Sequence, residues 1–290
     1  FISKTRVTIF FSLGLIAAGI ISLIINGGPN LSIDFKGGTV FQISTEKSIN
    51  ISELRSLLSE TKLEKSEITE ITGLNIKQEF RIKINLENEN TTEISNEILD
   101  ILAIYKPEIR AVENVGPKVG RELQGQAIMA ISLALLMLMI YIALRFDRFY
   151  SFGSVVAIVH DVLITLGIFS LLNLEIDLSI VAAFLTIVGY SLNDTIVIFD
   201  RFRENSQKDL KLSIYESANL SLNQTLSRTI VTSLTTLIVV VILYFLGGEV
   251  IKYFAFALII GVIVGTYSSI FIASPFMLYF KSKAQIIGEE

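Results

Sequence analysis

The sequence predicts an integral membrane protein in which six transmembrane helices form a bundle and a small α+β domain is inserted between the first two helices. Three observations lead to this fold class. Hydrophobic residues make up 51% of the 290 residues, and the mean hydropathy is +0.62, which is high for an ordinary soluble domain. Six apolar runs approach the roughly 20 residues that a spanning helix needs. The segment between the first two runs mixes helical and strand periodicities instead.

The six apolar runs divide the chain in order. They cover residues 8–25, 124–143, 152–172, 178–199, 226–246 and 252–274. The first run is long enough to span a bilayer and is not followed by a small-residue cleavage pattern, so we expect a retained helix rather than a signal peptide. The predicted organisation is therefore a first helix in residues 1–29, an inserted domain in 30–115, five more helices in 116–280 and a tail in 281–290.

The inserted domain alternates between two periodicities. Strand-like alternation predicts β-strands at residues 39–44, 68–73, 80–86 and 110–115, and helical spacing of apolar residues predicts helices around 51–58 and 94–102. The resulting order βαββαβ is that of a ferredoxin-like domain. No catalytic constellation is recognisable in it.

Positive charges predict the orientation in the membrane. Most lysine and arginine residues near the predicted helices lie at the helix ends that would share one side of the membrane. They are Lys4, Arg6, Arg145, Arg148, Arg201, Arg203, Lys208, Lys211, Arg228, Lys281 and Lys283. The opposite ends are almost free of them. Because cytoplasmic loops carry the excess of positive charge, we expect both termini in the cytoplasm and residues 30–115 on the far side.

Composition also argues against several functional classes. The chain has no cysteine and one histidine, which excludes disulfides and argues against a zinc site. The net charge of −4 gives no reason to invoke nucleic acid. The Lys36-Gly37-Gly38 run lacks the spacing of a phosphate-binding loop. We therefore expect no cofactor, no ATP hydrolysis and no enzymatic activity.

Two charged side chains lie inside predicted helices at comparable depth. Asp194 lies six residues from the predicted cytoplasmic end of the fourth helix near Asp200, a depth of about 9 Å at 1.5 Å per residue. Arg228 lies at a similar but slightly smaller depth in the fifth helix. An ionisable group in the membrane costs roughly 2.5–3.5 kcal/mol on insertion scales, so Asp194 and Arg228 are candidate functional residues. The alternative for Arg228 is that its long side chain extends to the cytoplasmic membrane–water interface and has no functional role.

Further polar residues accompany these two. His160 and Asp161 lie in the third run, Ser191 and Asn193 in the fourth, and Thr232 in the fifth. They belong either to a proton path or to a network of hydrogen bonds that holds the helices together. Residue types alone leave both interpretations open.

The motifs of the chain resemble those of the SecD/SecF family. The matching runs are IDFKGGT at residues 33–39, VGPKVGREL at 115–123, Phe146-Asp147, His160-Asp161, GYSLNDT at 189–195, VIFDRFRE at 197–204 and NQTLSRT at 223–229. They occur in the family's order, and the small inserted domain resembles the SecF branch rather than the SecD branch. The resemblance implies one half of a transporter of the resistance-nodulation-division (RND) superfamily.

The resemblance also implies a function and partners. A member of this branch would pair with SecD in the bacterial inner membrane, and would work with SecYEG, SecA, YajC and YidC on unfolded preproteins, driven by the proton-motive force. Asp194 and Arg228 match the family's proton-path residues. The alternative is a passive assembly or chaperone subunit whose outer domain holds the emerging preprotein. Small-molecule efflux is disfavoured because the inserted domain is small.

Overall fold

The computed structural model describes residues 1, 5–59, 61–64, 66–71, 78–84, 90–208 and 212–287. Lys4, Lys211, the last three residues of the predicted tail, and the ends predicted for two strands at residues 72–73 and 85–86 lie outside the described residues. The chain forms two compact units. The first comprises Phe1–Asn30 and Met129–Glu290, and the second comprises Leu31–Ile128.

The described elements follow one another as fourteen labelled helices and strands and two short irregular helices. They are α1 (Thr5–Ile25), α2 (Ile33–Lys36), β1 (Gly38–Thr45), α3 (Ile51–Ser59), β2 (Glu67–Ile71), β3 (Gln78–Ile84), α4 (Thr91–Ile101), a 3₁₀ helix (Ala103–Tyr105), β4 (Pro107–Val115), α5 (Pro117–Arg145), α6 (Arg148–Leu171), α7 (Leu178–Lys208), α8 (Ile214–Leu246), α9 (Glu249–Ser268), a π-helical turn (Ser269–Ala273) and α10 (Ser274–Ile287).

Six helices in the described part of the chain are long and apolar enough to cross a membrane, which confirms the predicted number. They are α1, α5, α6, α7, α8 and the combined span of α9, the π turn and α10 at Ile251–Ala284. Helices α7 and α8 run further than the apolar runs predicted, because their polar ends pack against each other. Asn205 of α7 donates to Ser221 Oγ and Gln224 Oε1 of α8, both at 2.8 Å. Helix α8 begins with a capping box between Ser213 and Glu216.

The helices differ in how deeply they are embedded in the bundle. Buried residues make up 56% of the apolar stretch of α6, 50% of α7 and 56% of the α9–α10 span, against 6% for α5. Helices α6, α7 and α9–α10 therefore form the centre of the bundle. Helix α1 approaches α6 through two glycines, since a Cβ on Gly19 would lie 2.6 Å from Gly167 Cα. Such small-residue crossings are how helices pack closely in a bilayer.

The second unit contains a four-stranded antiparallel sheet. Its strand order is β2-β3-β1-β4, and the element order βαββαβ agrees with the prediction. The apolar sides of α3 and α4 contribute Leu54, Leu58 and Ile98 to a core shared with Phe41 and Phe80 of the sheet.

Two glycine-containing motifs of this unit lie against each other. Gly37 ends α2 at φ 80°, and a Cβ there would come within 2.9 Å of Pro117 Cα. A Cβ on Gly120 would lie 2.9 Å from the carbonyl oxygen of Phe35. Only glycine fits positions of such close backbone approach. The run at residues 33–39 and the run at 115–123 are therefore two sides of one contact.

Candidate functional site

Asp161 is the centre of a fully buried polar cluster between α6, α7 and α9. Its Oδ2 accepts hydrogen bonds from Ser191 Oγ at 2.6 Å and Ser268 Oγ at 2.7 Å, and its Oδ1 lies 2.8 Å from Nδ1 of His160. Asp161 is 0% exposed and His160 5%. A Cβ on Gly265 would lie 3.2 Å from Ser191 Cβ, so the glycine lets α9 come close to the cluster.

His160 connects this cluster to α1. Its Nε2 lies 2.9 Å from Ser12 Oγ, which lies 3.1 Å from the hydroxyl of Tyr267 on α9. The Tyr267 hydroxyl donates to the carbonyl oxygen of Thr8, at 2.7 Å. A continuous chain of polar contacts therefore runs from Asp161, in the middle of α6, to the first turn of α1.

The π-helical turn begins at the edge of the same cluster. Ser269 Oγ donates to the carbonyl oxygens of Gly265 at 2.9 Å and Ser191 at 3.2 Å, and it lies 2.9 Å from Thr195 Oγ1. π-Helical turns occur frequently at functional sites, where they reposition side chains within a helix. At the start of this turn, consecutive serines contact different helices: Ser268, the last residue of α9, bonds Asp161 of α6, and Ser269 bonds residues of α7.

Asp194 belongs to a second cluster, between α7, α8 and α9. The side chain is buried at 2% exposure, and its Oδ2 accepts a hydrogen bond from Ser233 Oγ at 3.3 Å. Ser233 Oγ in turn lies 2.7 Å from Thr266 Oγ1. Within the described chain, no lysine, arginine or histidine nitrogen lies within 4 Å of this carboxylate. Asp161 and Asp194 therefore belong to two separate polar clusters, and residues of α7 and α9 take part in both.

The remaining predicted residues are distributed around the second cluster. Thr232 donates to the carbonyl oxygen of Arg228 at 3.0 Å and lies beside the Asp194 carboxylate, and the charge of Arg228 also acts on that carboxylate. Arg228 is exposed in the isolated chain, on the outer side of α8. Asn193 is exposed as well, so the structure brings it to neither cluster.

Several members of the two clusters were not predicted from the sequence. They are Ser12, Tyr267, Ser268, Ser233 and Thr266. The available signal was weak, because single hydroxyl residues are common in membrane helices. The series Ser217, Ser221, Thr225, Thr229 and Ser233, in which every fourth residue of α8 is polar and buried, could have indicated a hydroxyl-lined side of α8 facing α7.

Two of the sequence motifs come together at the ends of the spans. Phe146-Asp147 follows α5, and Arg203 belongs to the charged run at the end of α7; both line a cavity of about 480 Å³. Lys281 of α10 also lines it and lies 5.1 Å from the centre of the buried Tyr150 ring. Arg145, at the same place, pairs with Asp200 at 2.9 Å.

Fold and site together define a class. The protein is a multi-pass membrane protein with two buried carboxylates in the interior of its helix bundle, and intramembrane carboxylates are typical of ion and proton pathways in transporters. Among the described residues, no group of three or more histidine, aspartate or glutamate side chains could hold a metal ion.

Comparison with known proteins identifies the family. The model described as "Protein export membrane protein SecD/SecF, C-terminal" matches residues 96–283, and the "SecD/SecF GG Motif" matches residues 22–49. Protein translocase subunit SecF of Rhodothermus marinus is 43% identical over 98% of this chain and 94% of its own length. The corresponding protein of Haemophilus influenzae is 46% identical over 86% of this chain and 76% of its own length. The chain belongs to the SecD/SecF family.

A solved structure supports the same conclusion. The crystal structure of SecDF, a translocon-associated membrane protein from Thermus thermophilus, superposes with a TM-score of 0.88 at 39% identity over 97% of this chain. The chain spans only 38% of that SecDF chain. In that SecDF protein, a region similar to this chain is one part of a longer polypeptide. This fusion supports SecD as a partner of this chain.

Proposed function

We propose that the chain is the SecF-type half of a SecD–SecF unit, which uses the proton-motive force to help preproteins leave the SecYEG channel. The unit would lie in the bacterial inner membrane with both termini of this chain in the cytoplasm and residues 30–115 outside. SecA, YajC and YidC are proposed as further members of the assembly. The proposed role involves no covalent chemistry.

The buried Asp194 carboxylate carries this proposal. It has one serine hydrogen bond at 3.3 Å and no cationic nitrogen within 4 Å in the described chain. The charge of Arg228 acts on this carboxylate only from beyond 4 Å, so the carboxylate needs a proton or a further cation from a partner. Gain and loss of a proton would therefore change the charge at the centre of the contact between α7, α8 and α9.

Arg228 supplies the link to a partner. Its side chain is exposed on α8, where buried residues make up only 17% of the apolar stretch. An arginine on a lipid-facing helix surface is costly, so a second helical half with its own carboxylate fits that surface. Protonation of Asp194 would then shift the charge balance between Arg228 and the partner, and bias a rigid-body movement of the two halves.

The available energy is sufficient for a mechanical step. One charge that crosses the membrane potential releases about 2.3 kcal/mol per 100 mV, and a pH gradient adds to this. Several protons per cycle would therefore provide more than the few kcal/mol that separate two packings of a helix bundle.

The experiment compares Asp194→Asn with wild type in inverted vesicles that carry SecD and the translocon. Asparagine keeps the size of the side chain but cannot titrate. We expect assembly with SecD to survive and gradient-stimulated preprotein release to be lost. Asp177→Asn is the matched control, because Asp177 caps α7 through Ser179 and the amide of Ile180, which asparagine can also do. Release is normalised to the complex recovered by pull-down.

Two outcomes separate the proposal from its alternative. If Asp194 only holds the helices together, Asp194→Asn lowers the amount of complex while release per complex stays normal. Normal gradient-dependent release in Asp194→Asn would eliminate the proton-path role. Arg228→Lys should also be harmful, because an ammonium group lacks the paired donors of a guanidinium group.

A further inference from the structure

The polar chain from Asp161 to α1 requires more hydrogens than its neutral groups can supply. It consists of four contacts: Asp161 Oδ1 to His160 Nδ1, His160 Nε2 to Ser12 Oγ, Ser12 Oγ to the Tyr267 hydroxyl, and that hydroxyl to the Thr8 carbonyl. Each contact needs one hydrogen between its two heavy atoms. A neutral imidazole, a serine and a tyrosine provide three, since the carboxylate and the carbonyl provide none.

One additional proton on the His160–Asp161 pair completes the chain. With a hydrogen on both sides of the imidazole, Nδ1 is bonded to Asp161 and Nε2 donates to Ser12. Ser12 is then free to donate to Tyr267, and Tyr267 donates to Thr8. The same pattern results when the proton resides on Asp161 Oδ1 and the ring keeps its hydrogen on Nε2. In both arrangements Nε2 carries a hydrogen.

Charge leads to the same conclusion independently of hydrogen positions. Asp161 is 0% exposed and His160 5%, so neither side chain reaches water or headgroups. Without the additional proton the pair has a charge of −1 in the interior of the bundle, and with it the pair is neutral. A lone charge in the middle of a bilayer is costly, which favours the neutral pair.

Among the residues that the structure describes, the groups around the pair offer no other source of positive charge. Tyr267 of α9 is the titratable side chain that faces His160, with ring centres 6.1 Å apart. Helix α1 presents Ser12, α7 presents Ser191, and the carboxylate of Asp194 on α7 is bonded to Ser233 instead. The contacts of His160 and Asp161 include none of the described cations of the packed helices, which are Arg6, Arg148, Arg201, Arg203, Lys208, Lys252, Lys281 and Lys283.

We propose that the His160–Asp161 pair is a second intramembrane proton-binding site, separate from Asp194, and that Ser12 and Tyr267 deliver its proton from the end of α1. The transfer forms and breaks only N–H and O–H bonds. Before the transfer, Nε2 has no hydrogen, Ser12 donates to Nε2 and Tyr267 donates to Ser12. When a proton reaches the Tyr267 oxygen, Tyr267 passes its own hydrogen to Ser12 and Ser12 passes its own to Nε2, so that Tyr267 afterwards donates to Thr8. A part for this site in transport rests on the proposed function, whereas its occupancy by a proton does not.

The test uses the fact that His160 is the only histidine in the chain. The full-length chain, labelled with ¹⁵N-histidine and placed in lipid bilayers, gives one pair of ring nitrogen signals in solid-state NMR. At about pH 8, where an imidazole in water is neutral, we expect a hydrogen on Nε2 together with a hydrogen shared between Nδ1 and Asp161. A bare Nε2 at that pH would overturn the proposal.

Variants test the delivery route. Ser12→Ala and Tyr267→Phe remove links of the chain, and each should slow the exchange of the Nε2 hydrogen for deuterium from the solvent by about fivefold or more, the factor that corresponds to one lost hydrogen bond. Tyr253→Phe, on the same helix but outside the chain, is the control. If the Nε2 hydrogen of Tyr267→Phe exchanges as fast as in wild type, the relay assignment is wrong.

The NMR result and the transport result can fail separately. Nε2 bearing a hydrogen in a chain whose preprotein release ignores the gradient would contradict the proposed function and leave the second proton site standing. Gradient-dependent release with a bare Nε2 would contradict the second site alone.

Discussion

Replacement of Asp161 by alanine should destabilise the protein much more than replacement by asparagine. Alanine removes the acceptor of three hydrogen bonds, from His160, Ser191 and Ser268. Hydrogen bonds between membrane helices contribute about 0.6 kcal/mol on average and about 1.7 at most. The loss for Asp161→Ala is therefore about 2 kcal/mol, before any cost of the cavity is added.

Asparagine, in contrast, reproduces the proton-bound pair. Its carbonyl oxygen can accept from Ser191 and Ser268, while its amide donates to His160 Nδ1 and leaves a hydrogen on Nε2 for Ser12. We expect Asp161→Asn to cost less than about 1 kcal/mol, within the range of a volume-conserving substitution. The free energy of unfolding can be measured by steric trapping in bicelles, with the exposed Ser227→Ala as the control.

A double-mutant cycle tests the reasoning behind these magnitudes. Ser191→Ala and Ser268→Ala should each cost about 0.6 kcal/mol in the wild-type background and almost nothing once Asp161 is alanine, because their acceptor is then absent. Fully additive losses would show that the serines are stabilised by something other than Asp161. Equal losses for Asp161→Asn and Asp161→Ala would refute the hydrogen count.

Three further outcomes are expected. Gly19→Ala should lower the free energy of unfolding by about 1–3 kcal/mol because its Cβ would meet Gly167, whereas Gly14→Ala, with open space around it, should not; equal effects in steric trapping would contradict the close crossing. The separate fragment 31–115 should melt cooperatively by circular dichroism, and a random-coil spectrum would count against an independent core. In that fragment a hydrogen bond to Glu53 raises the pKa of Tyr105 above its ordinary value. This contribution is present below about pH 10 and is lost as the pH rises through the raised pKa of Tyr105, so Tyr105→Phe should reduce the fall of the melting temperature above about pH 10.

The sequence was sufficient for the elements that depend on hydropathy and periodicity. Six spans and the order βαββαβ follow from run lengths and alternation, because burial in lipid or in a small core acts on every residue of an element. The ends of α7 and α8 could not be predicted in this way. Their extensions are polar, and they are helical because Asn205 of one contacts Ser221 of the other, a tertiary contact that no local pattern contains.

The candidate site was predictable in part for a similar reason. Asp194, His160 and Asp161 stand out because ionisable residues are rare in apolar runs. Their partners do not stand out, because Ser12 and Tyr267 become members of the cluster only when α1 and α9 pack against α6. Asn193, which is next to Asp194 in the sequence, is on the other side of the helix, since neighbouring helical residues point about 100° apart.

The π-helical turn at Ser269–Ala273 makes the last span sensitive to the length of the chain. One extra residue in a helix rotates everything that follows it by about 100°. Before the turn, Ser268 faces Asp161; after it, Met277 packs against Gly153 and Lys281 lies over the Tyr150 ring. Deletion of a single residue here would leave a longer regular helix, yet it would rotate either the serine or the lysine out of place. The two contact surfaces of this span, before and after the turn, therefore depend on the number of residues between them, and an insertion or deletion at the turn would leave only one of them in its native orientation.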